Sequence, residues 1–560
     1  MARRGHQLNL RTTNLKKNLR GIVQNKPEVF MNATEAVDIV NMHSQQEGEW
    51  SADNAGYTVL NSAHTAFEAG ASIDGLHWFT DANYTDHLYF ACNGKIKEID
   101  MGTGIGSDID AAASFTPGKI ASFLTFNYLL YSCDGTVAKP RKWDLSSTTT
   151  SDAGGWPVSD GTNTYSKPAM LAIFQNRAVF ADLRLGTGGA LAYRSHVILS
   201  NLNNAETFTL PATAANHAYI IGVGTGDGQK VTGIKPLNIP ALPSQYLTKQ
   251  EQLIIAKDRS IYTLTGQSAL LTDTSVFSVS IVSDVYGCFN SRCMVQLGNE
   301  ILMLNEYGVT SVTGDRSNGN IMASPIESDL VKDIIGRINL GATDKCWGIH
   351  LPNRREVIFF IPTGASTVCN EAIVYRYPVP GDQTGVAKWS RRTDVANKFE
   401  MACGVLVHRT FYTGNYTGLV NTMFTASTYD GTAIPWTYEY PDFDFGNDQI
   451  LKSIKHAEAW FKVRSAQNLT ITTIWKGGGN NDVFSNPIAI NPTVGKEAYG
   501  SAHYNQDYYG NSQEAISTFK APGNGERLKV ILSGNTSDTG PAFHSLNFVP
   551  EYGAISQHSS

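Results

Sequence analysis

Apolar and polar residues alternate with a period of two along most of this chain, in short runs broken by Gly, Asn, Asp and Pro. That is the pattern of strands with one buried face joined by tight turns. Two of the runs echo. LYFACNG, Leu88 to Gly94, returns as LLYSCDG, Leu129 to Gly135, an offset of 41 that aligns Cys92 with Cys133 and Gly94 with Gly135. LIIAKDRSIYTLTG, Leu253 to Gly266, returns without gaps as ILMLNEYGVTSVTG, Ile301 to Gly314, an offset of 48. Each unit reads as strand, turn, strand. A hairpin of that size cannot bury its own apolar face, so units recurring every ~40–50 residues must stack, and for β-rich units the usual result is a propeller.

Hairpins around Leu88, Leu129, Ala178, Leu253, Ile301, Val357 and Phe411 predict six or seven blade-like units over residues 46–430, with a turn-rich insertion near 201–245 that breaks the period. From about Asp430 the strands lengthen (TAIPWTYEYPDFDFG, KSIKHAEAWFKV, LTITTIWKGG, RLKVILSG) and the period is lost. Residues 431–560 therefore read as a separate β-sandwich with a short tail. The fold class is all-β. One segment has helical spacing: in SPIESDLVKDIIGRI, Ile326, Leu330, Val331, Ile334 and Ile335 share a face, with Ser324 as N-cap, Pro325 in the first turn and Glu327 three residues past the cap. Gly94, Gly135, Gly266 and Gly314 are expected to be structural turn glycines.

Composition supports the β reading: charged residues are 17% of the chain, and 51 glycines suit turns. A formal net charge of −6 argues against a protein that grips phosphate backbones over a wide face. The start is different. Arg3, Arg4, Arg11, Lys16, Lys17, Arg20 and Lys26 precede the first acidic residue, Glu28, so residues 1–45 read as a basic arm and lead-in, either solvated or docking on a partner. No apolar stretch follows the basic residues as in a secretion signal, and no run approaches the ~18 apolar residues of a membrane span, so a soluble protein made in cytoplasm is expected. Seven scattered cysteines, an odd number, predict reduced, buried thiols.

Chemistry-bearing motifs are weak. There is no HExxH, no paired CxxC and no Gly-x-Ser-x-Gly. GVGTGDGQKVTGIK places glycines at 222, 224, 226 and 228, but Asp227 occupies the third glycine place of the dinucleotide fingerprint, and strand follows instead of helix. Asp442 and Asp444 would share one side of a strand whose Phe443 and Phe445 face a core, which fits a solvated face better than a glycosidase pair. Tyr504, Tyr508 and Tyr509 suit a protein interface better than a sugar platform. The loops at Asp160 and Asp315 lack the ligand series of a calcium loop. No catalytic, cofactor-binding or metal-ligating residue is assigned, and no cofactor is expected.

The succession VILSNLNNAETF (Val197 to Phe208), GDGQKVTGIK (Gly226 to Lys235), LIIAKDRSIYTLTG and SDVYGCFNSRCMVQLGNEILMLNEYGVTSVTG (Ser283 to Gly314) resembles the β-propeller tail hub or nozzle structural proteins of short-tailed bacteriophages. VAKWSRRTD (Val386 to Asp394), FYTGNYTGLVNTM from Phe411 and DFGNDQILKSIKHAEAWF continue the pattern, so the resemblance covers roughly residues 50–550. It implies a non-enzymatic virion protein, assembled in the host bacterial cytoplasm as a homo-oligomeric, typically hexameric, ring below the portal and its adaptor. The ring narrows the DNA channel and retains and delivers the genome; other tail proteins, fibres or spikes are its neighbours, and DNA passes without sequence-specific binding. Two alternatives stand beside it: a carbohydrate- or receptor-binding tail propeller, and a head-tail completion protein elsewhere in the particle.

Overall fold

Asn93 and Gly94 fold the strand Asp86–Cys92 back onto Lys95–Asp100, both with positive φ (51° and 75°), the conformation of a two-residue Asn-Gly hairpin turn. At the equivalent turn after Leu129–Cys133, the Asp134 carboxylate accepts from the amides of Thr136 (2.8 Å), Val137 (3.0 Å) and Thr116 (3.0 Å), and Gly135 takes the positive φ, 76°. These local instructions recur round a computed structural model that describes residues 13–15 and 21–555, apart from 33–34, 45–49, 53–54, 61–66, 69, 82, 102, 110–113, 145–149, 187–190, 211–216, 240–249, 267–276, 315–320, 327–330, 379–387, 446–449, 464–466, 478–481, 491–512 and 537–541.

Among the described residues seven antiparallel sheet units follow one another, the first five as separate sheets and the last two within one larger sheet. Their innermost strands are Ile73–Thr80, Ser122–Phe126, Met170–Phe174, Val231–Ile239, Met294–Leu297, Trp347–Leu351 and Met401–Val407, blades 1 to 7 in chain order. Each inner strand lies against the next, and that of blade 7 against that of blade 1, so the chain is a closed β-propeller. The last blade borrows its fourth strand: Val420–Met423 pairs antiparallel with Tyr57–Val59, which precedes blade 1. The echoes in the sequence are equivalent positions. Leu88 and Leu129 lie in the second strands of blades 1 and 2, and the longer pair supplies the second and third strands of blades 4 and 5.

Glycine recurs on the inner strands. Gly75, Gly348 and Gly404 face positions where a β-carbon would sit 2.8 Å from the Ala121 carbonyl, 2.7 Å from Val295 and 2.7 Å from Trp347 respectively, each on an adjoining blade. Gly233 likewise faces Met294 and Ser291. The inner strands of blades 1, 4 and 7 also share a bulge, one residue on from Ile73, Val231 and Met401. The bulge bends the strand and the missing side chain lets the next blade approach the axis.

The structure corrects several expectations. Segment 201–245 is no insertion: it contains Tyr219–Gly222, the outer strand of blade 3, and Val231–Ile239, the inner strand of blade 4, so the blade order is unbroken. Among the described residues the helix is one turn, Lys332–Ile335. Ser324 and Pro325 end the outer strand of blade 5, paired with Ser311 and Thr310, so the ladder takes the backbone that the cap would need. Val331 and Ile334 are nonetheless fully buried, because the apolar stripe packs into the core whichever backbone carries it. Gly266 and Gly314 end strands opposite Phe277 and Ile321 instead of making tight turns.

Blade 7 ends at Met423 and longer strands begin with Thr432–Glu439. One sheet of the sandwich contains Ile450–Val463 between Gln513–Gly525 and Ala542–Ile555; the other contains Arg527–Thr536 between Thr432–Glu439 and Gln467–Lys476. The sandwich is not separate. Asp38–Val40 pairs antiparallel with Thr437–Glu439 and parallel with blade 6 at Arg391, so a blade and a sandwich face are one continuous sheet. A single apolar core accordingly runs from blades 4–6, through Ile22, Ile39 and Trp389, to Trp436, Trp475 and Phe548.

Candidate functional site

Two constructions place polar side chains where the parts of the molecule meet: one at a mouth of the propeller axis, one between propeller and sandwich. At the axis, Asn290 caps the single turn Ser291–Cys293, its Oδ1 accepting from the Arg292 amide (2.9 Å), and its Nδ2 donates to the carbonyls of Thr343 (2.8 Å) and Cys346 (2.9 Å). The turn aims Arg292 across the entries to the next blades. Nη1 donates to the Ala402 carbonyl of blade 7 (2.8 Å), and Nη2 to the carbonyls of Asp344 (3.0 Å) and Lys345 (3.1 Å), which lead into blade 6. Lys345 Nζ in turn reaches the Gly118 carbonyl at the entry to blade 2 (3.4 Å), and the Gly118 amide donates to Asp74 of blade 1 (2.9 Å).

Hydrogen bonds thus cross between blades that are not neighbours, and this mouth is spanned by protein. Burial raises the Asp74 carboxyl above its usual range, against the opposing hydrogen bonds of Ser72 and the Gly118 amide and the charges of Lys345 and Arg292. Thiols fill the apolar side of the same region. Cys369 donates to the Lys345 carbonyl (3.2 Å), Cys288 to that of Asn290 (3.2 Å) and Cys403 to that of Ile73 (3.4 Å). All seven cysteines are buried and free of disulfides, as expected. Burial pushes Cys288 and Cys403 up to about 12, so they remain neutral donors and poor nucleophiles.

At the second construction the lead-in, residues 21–44, is threaded between blade 6 and the sandwich. Gly21 bridges to Trp389 with φ 76°, a position where a β-carbon would overlap the Trp389 backbone. Asn41, fully buried and left-handed (φ 55°), accepts from the Thr393 amide (3.0 Å) and donates through Nδ2 to the Pro435 carbonyl (2.7 Å), while its own amide donates to Arg391 (2.9 Å). One side chain therefore holds blade and sandwich together. Arg391 forks onto Asp38 (Nε 2.8 Å, Nη2 2.5 Å) and reaches Glu371 through Nη1 (2.9 Å). Burial opposes that guanidinium's charge, and the bonds and charges of Asp38 and Glu371 outweigh it, so its pKa is raised. Further along, Glu28 accepts from Lys529 (2.9 Å) and Lys476 (3.3 Å), Lys476 pairs with Asp442 (2.9 Å), and Lys529 pairs with Glu439.

The residues singled out in the sequence fall as follows. Lys26 is paired inside the chain with the buried carboxylate of Glu35 (2.7 Å), so it belongs to the lead-in and not to a projecting arm. Arg3, Arg4, Arg11, Lys16, Lys17 and Arg20 lie outside the described residues; between them, the backbone of Thr13–Leu15 pairs with Leu546–Phe548 on the sandwich. Asp442 is not on a solvated strand face: its side chain is 4% exposed and bound to Lys476, because 441–445 makes only a single bridge, Phe443 to Leu528. The glycine-rich loop after Gly222 is tied down by the buried Lys257, which donates to the Gly224 carbonyl (3.0 Å) and to Asp227 (2.8 Å). Asp160 is consumed by the amides of its own turn, Thr162 (2.8 Å) and Asn163 (2.6 Å). Tyr504, Tyr508, Tyr509 and the Asp315 loop are outside the described residues. Among the described residues no His, Cys, Asp and Glu cluster fit to hold a metal is present, and no helix is long and apolar enough to cross a membrane.

The sequence reading missed exposed apolar side chains on the outer parts of blades 4 and 5. Ile281 on the outer strand of blade 4, Val285, and Tyr307 and Met322 of blade 5 are each more than half exposed. Beside them a groove of about 460 Å³ is lined by Arg259, Glu306, Tyr307, Ile335, Ile338 and Leu340. The outer strands Phe277–Ser283 and Ile321–Pro325 adjoin there, and their alternation shows which side chains leave the sheet but not which neighbour covers them.

No protein-family model and no curated protein matches the chain. Among solved structures it is similar to virginiamycin B lyase from Staphylococcus aureus (8% identity, TM-score 0.37, 65% of this chain and 98% of that one). It is also similar to the exo-beta-1,3-galactanase from Phanerochaete chrysosporium in complex with galactose (9% identity, TM-score 0.25, 78% and 97%) and to the computationally designed Ika8 protein (12% identity, TM-score 0.29, 64% and 98%). At these scores the likenesses carry no argument about activity, and the seven-bladed assignment rests on the sheet order and ring closure of the chain itself.

Proposed function

We propose that this chain is a virion structural protein that forms a ring, the nozzle or hub of a short phage tail below the portal and its adaptor. It makes the DNA channel and helps retain and deliver the genome, without catalysis of its own. The resemblance in motif order suggests the role, and one observation of the fold favours it: a closed propeller shares a sheet and a core with a second β layer through Asp38–Val40. A closed ring leaves short edges, and a shared sheet resists hinging, so the molecule suits a block that bears internal pressure.

In this reading the channel runs between copies and not through a propeller, because the Arg292 and Lys345 hydrogen bonds span one mouth of each propeller axis. Subunit contact falls to the apolar outer edges of blades 4 and 5, and the basic segment before Gly21 reaches an adjoining component. Six copies are the expected number. Electron cryomicroscopy of the native particle tests this. Density for the chain as a closed ring on the tail axis supports the proposal; copies radiating outward as fibres or spikes would sink it and shift the weight to carbohydrate or receptor binding.

A further inference from the structure

Where blades 6 and 7 meet the lead-in, several donors converge with nothing to donate to. Arg392, in the strand Lys388–Thr393, is 1% exposed. Its Nη1 donates to the Ala55 carbonyl (3.1 Å), while Nε and Nη2, the two parallel donors of its other edge, are sealed from solvent without a hydrogen-bond partner. Arg354, in the turn before Glu356–Ile361, donates through Nε to Glu356 (2.9 Å) and leaves Nη2 enclosed and unpaired. Both guanidinium groups lie over the Phe424 ring, at 4.2 Å for Arg354 and 4.7 Å for Arg392. The Tyr429 hydroxyl is enclosed against Arg392, near enough to interact with its guanidinium but not in the geometry of a regular hydrogen bond, and Nδ1 of His43 is enclosed without a partner.

Charge is unbalanced in the same way. Glu356, itself buried, is already committed to Arg354. His43 stays neutral, its pKa driven well down by burial and then by the charges of Arg354, Arg392 and Arg376. A lysine in such a place would shed its proton, but a guanidinium does not. A buried cation without a counter-charge is strongly destabilising, and an open Nε–Nη2 edge has the geometry that grips an anion through two parallel bonds.

We propose that this pocket holds a small inorganic anion, of the chloride-to-phosphate class, gripped by Nε and Nη2 of Arg392 and reached by Nη2 of Arg354 and the Tyr429 hydroxyl. The ion completes the junction by holding the lead-in and the two closing blades to one centre of charge.

The test is thermal unfolding of the purified full chain at fixed ionic strength, with sodium gluconate, a bulky carboxylate, replaced stepwise by sodium chloride or by sodium phosphate. The wild-type Tm should rise and saturate with at least one of the two salts, as binding to the folded state alone requires, and the salt that acts at lower concentration identifies the occupant. Arg392→Met should abolish the response and melt in gluconate no lower than wild type, since it removes the charge that lacks a partner. A flat or unsaturating wild-type response, or the same response in Arg392→Met, would overturn the proposal. Should Arg392→Met fail to fold, Tyr429→Phe keeps the packing and should raise the half-saturating concentration roughly threefold to tenfold, the worth of one hydrogen bond; an unchanged midpoint rejects the site.

Discussion

At Gly56 a β-carbon would overlap the carbonyl of Thr428, far along the chain, although the φ there is ordinary. The close approach brings Tyr57–Val59 beside Thr428–Tyr429 and so lets the final blade close. Gly56→Ala is expected to cost roughly 3 kcal/mol or more, the scale of an overpacked, unyielding contact, read as a lower midpoint in denaturant. Gly336→Ala is the control: its backbone is helical, its nearest neighbour would be 3.4 Å away, and stability should be unchanged or slightly improved. Asn41→Ala leaves the Thr393 amide and the Pro435 carbonyl without partners in a buried place and puts alanine at positive φ, for an expected loss of about 3 kcal/mol; Asn41→Gly, which tolerates the left-handed backbone, should lose less. Sequence legibility at this scale follows distance. Gly94 and Gly135 could be read because their turns are specified by Asn93 and Asp134 beside them, whereas what Gly21, Gly56 and Asn41 serve lies hundreds of residues away and leaves no local mark.

Elements were legible where period and turn agreed. The hairpins named in the sequence each became strands of a blade, but the segment between residues 201 and 245 hid two strands because long connections separate them, and Ser324 and Pro325 looked like a helix start because cap chemistry competes poorly with an available sheet edge. The lead-in was the element read least well. Its charges suggested an arm, yet from Gly21 onward it is structural, and its attachment is electrostatic as well as apolar. Burial works to raise the Glu28 carboxyl, and the hydrogen bonds and charges of Lys529 and Lys476 outweigh it, leaving it below its ordinary 4.5. A depressed carboxyl contributes stability that is fully present above the unfolded value and is lost as pH falls through the folded one. The protection of the amides of residues 21–44, exchange measured against the intrinsic rate at each pH, should therefore fall as the pH is lowered below about 4.5, and Glu28→Gln should remove part of that acid dependence while reducing protection at pH 7. An identical acid profile in the variant would show that the Glu28 cluster does not anchor the lead-in.

On the scale of the whole molecule, the sequence reading anticipated a propeller followed by a sandwich but not their fusion, because a three-residue strand such as Asp38–Val40 has no periodicity of its own to reveal two sheet partners. The exposed apolar outer edge of blades 4 and 5 was equally silent, since one exposed residue per strand is ordinary. If that edge joins copies, Tyr307→Glu with Met322→Glu should leave the melting temperature of the monomer nearly unchanged and abolish the ring, because burying unpaired carboxylates in a contact costs far more than exposing them. Light scattering coupled to size exclusion would report it, and a ring that survives both charges would place the subunit contact elsewhere.

The borrowed strand of blade 7 has a consequence for how the molecule is made. Tyr57–Val59 leaves the ribosome well before its partner Val420–Met423, and the 360 residues from 60 to 419 are translated between them. At ~5–20 residues per second that is a wait of roughly 20–70 s, during which the early blades have no ring to close. Tyr57–Val59 and the lead-in strands must stay unpaired throughout, exposed to other nascent chains and to proteases. A product that terminates early has no closed propeller and no junction, whatever blades it has built. Closure therefore acts as a proofreading step on synthesis, and only polypeptides translated past the end of blade 7 carry the closed ring and its junction with the sandwich.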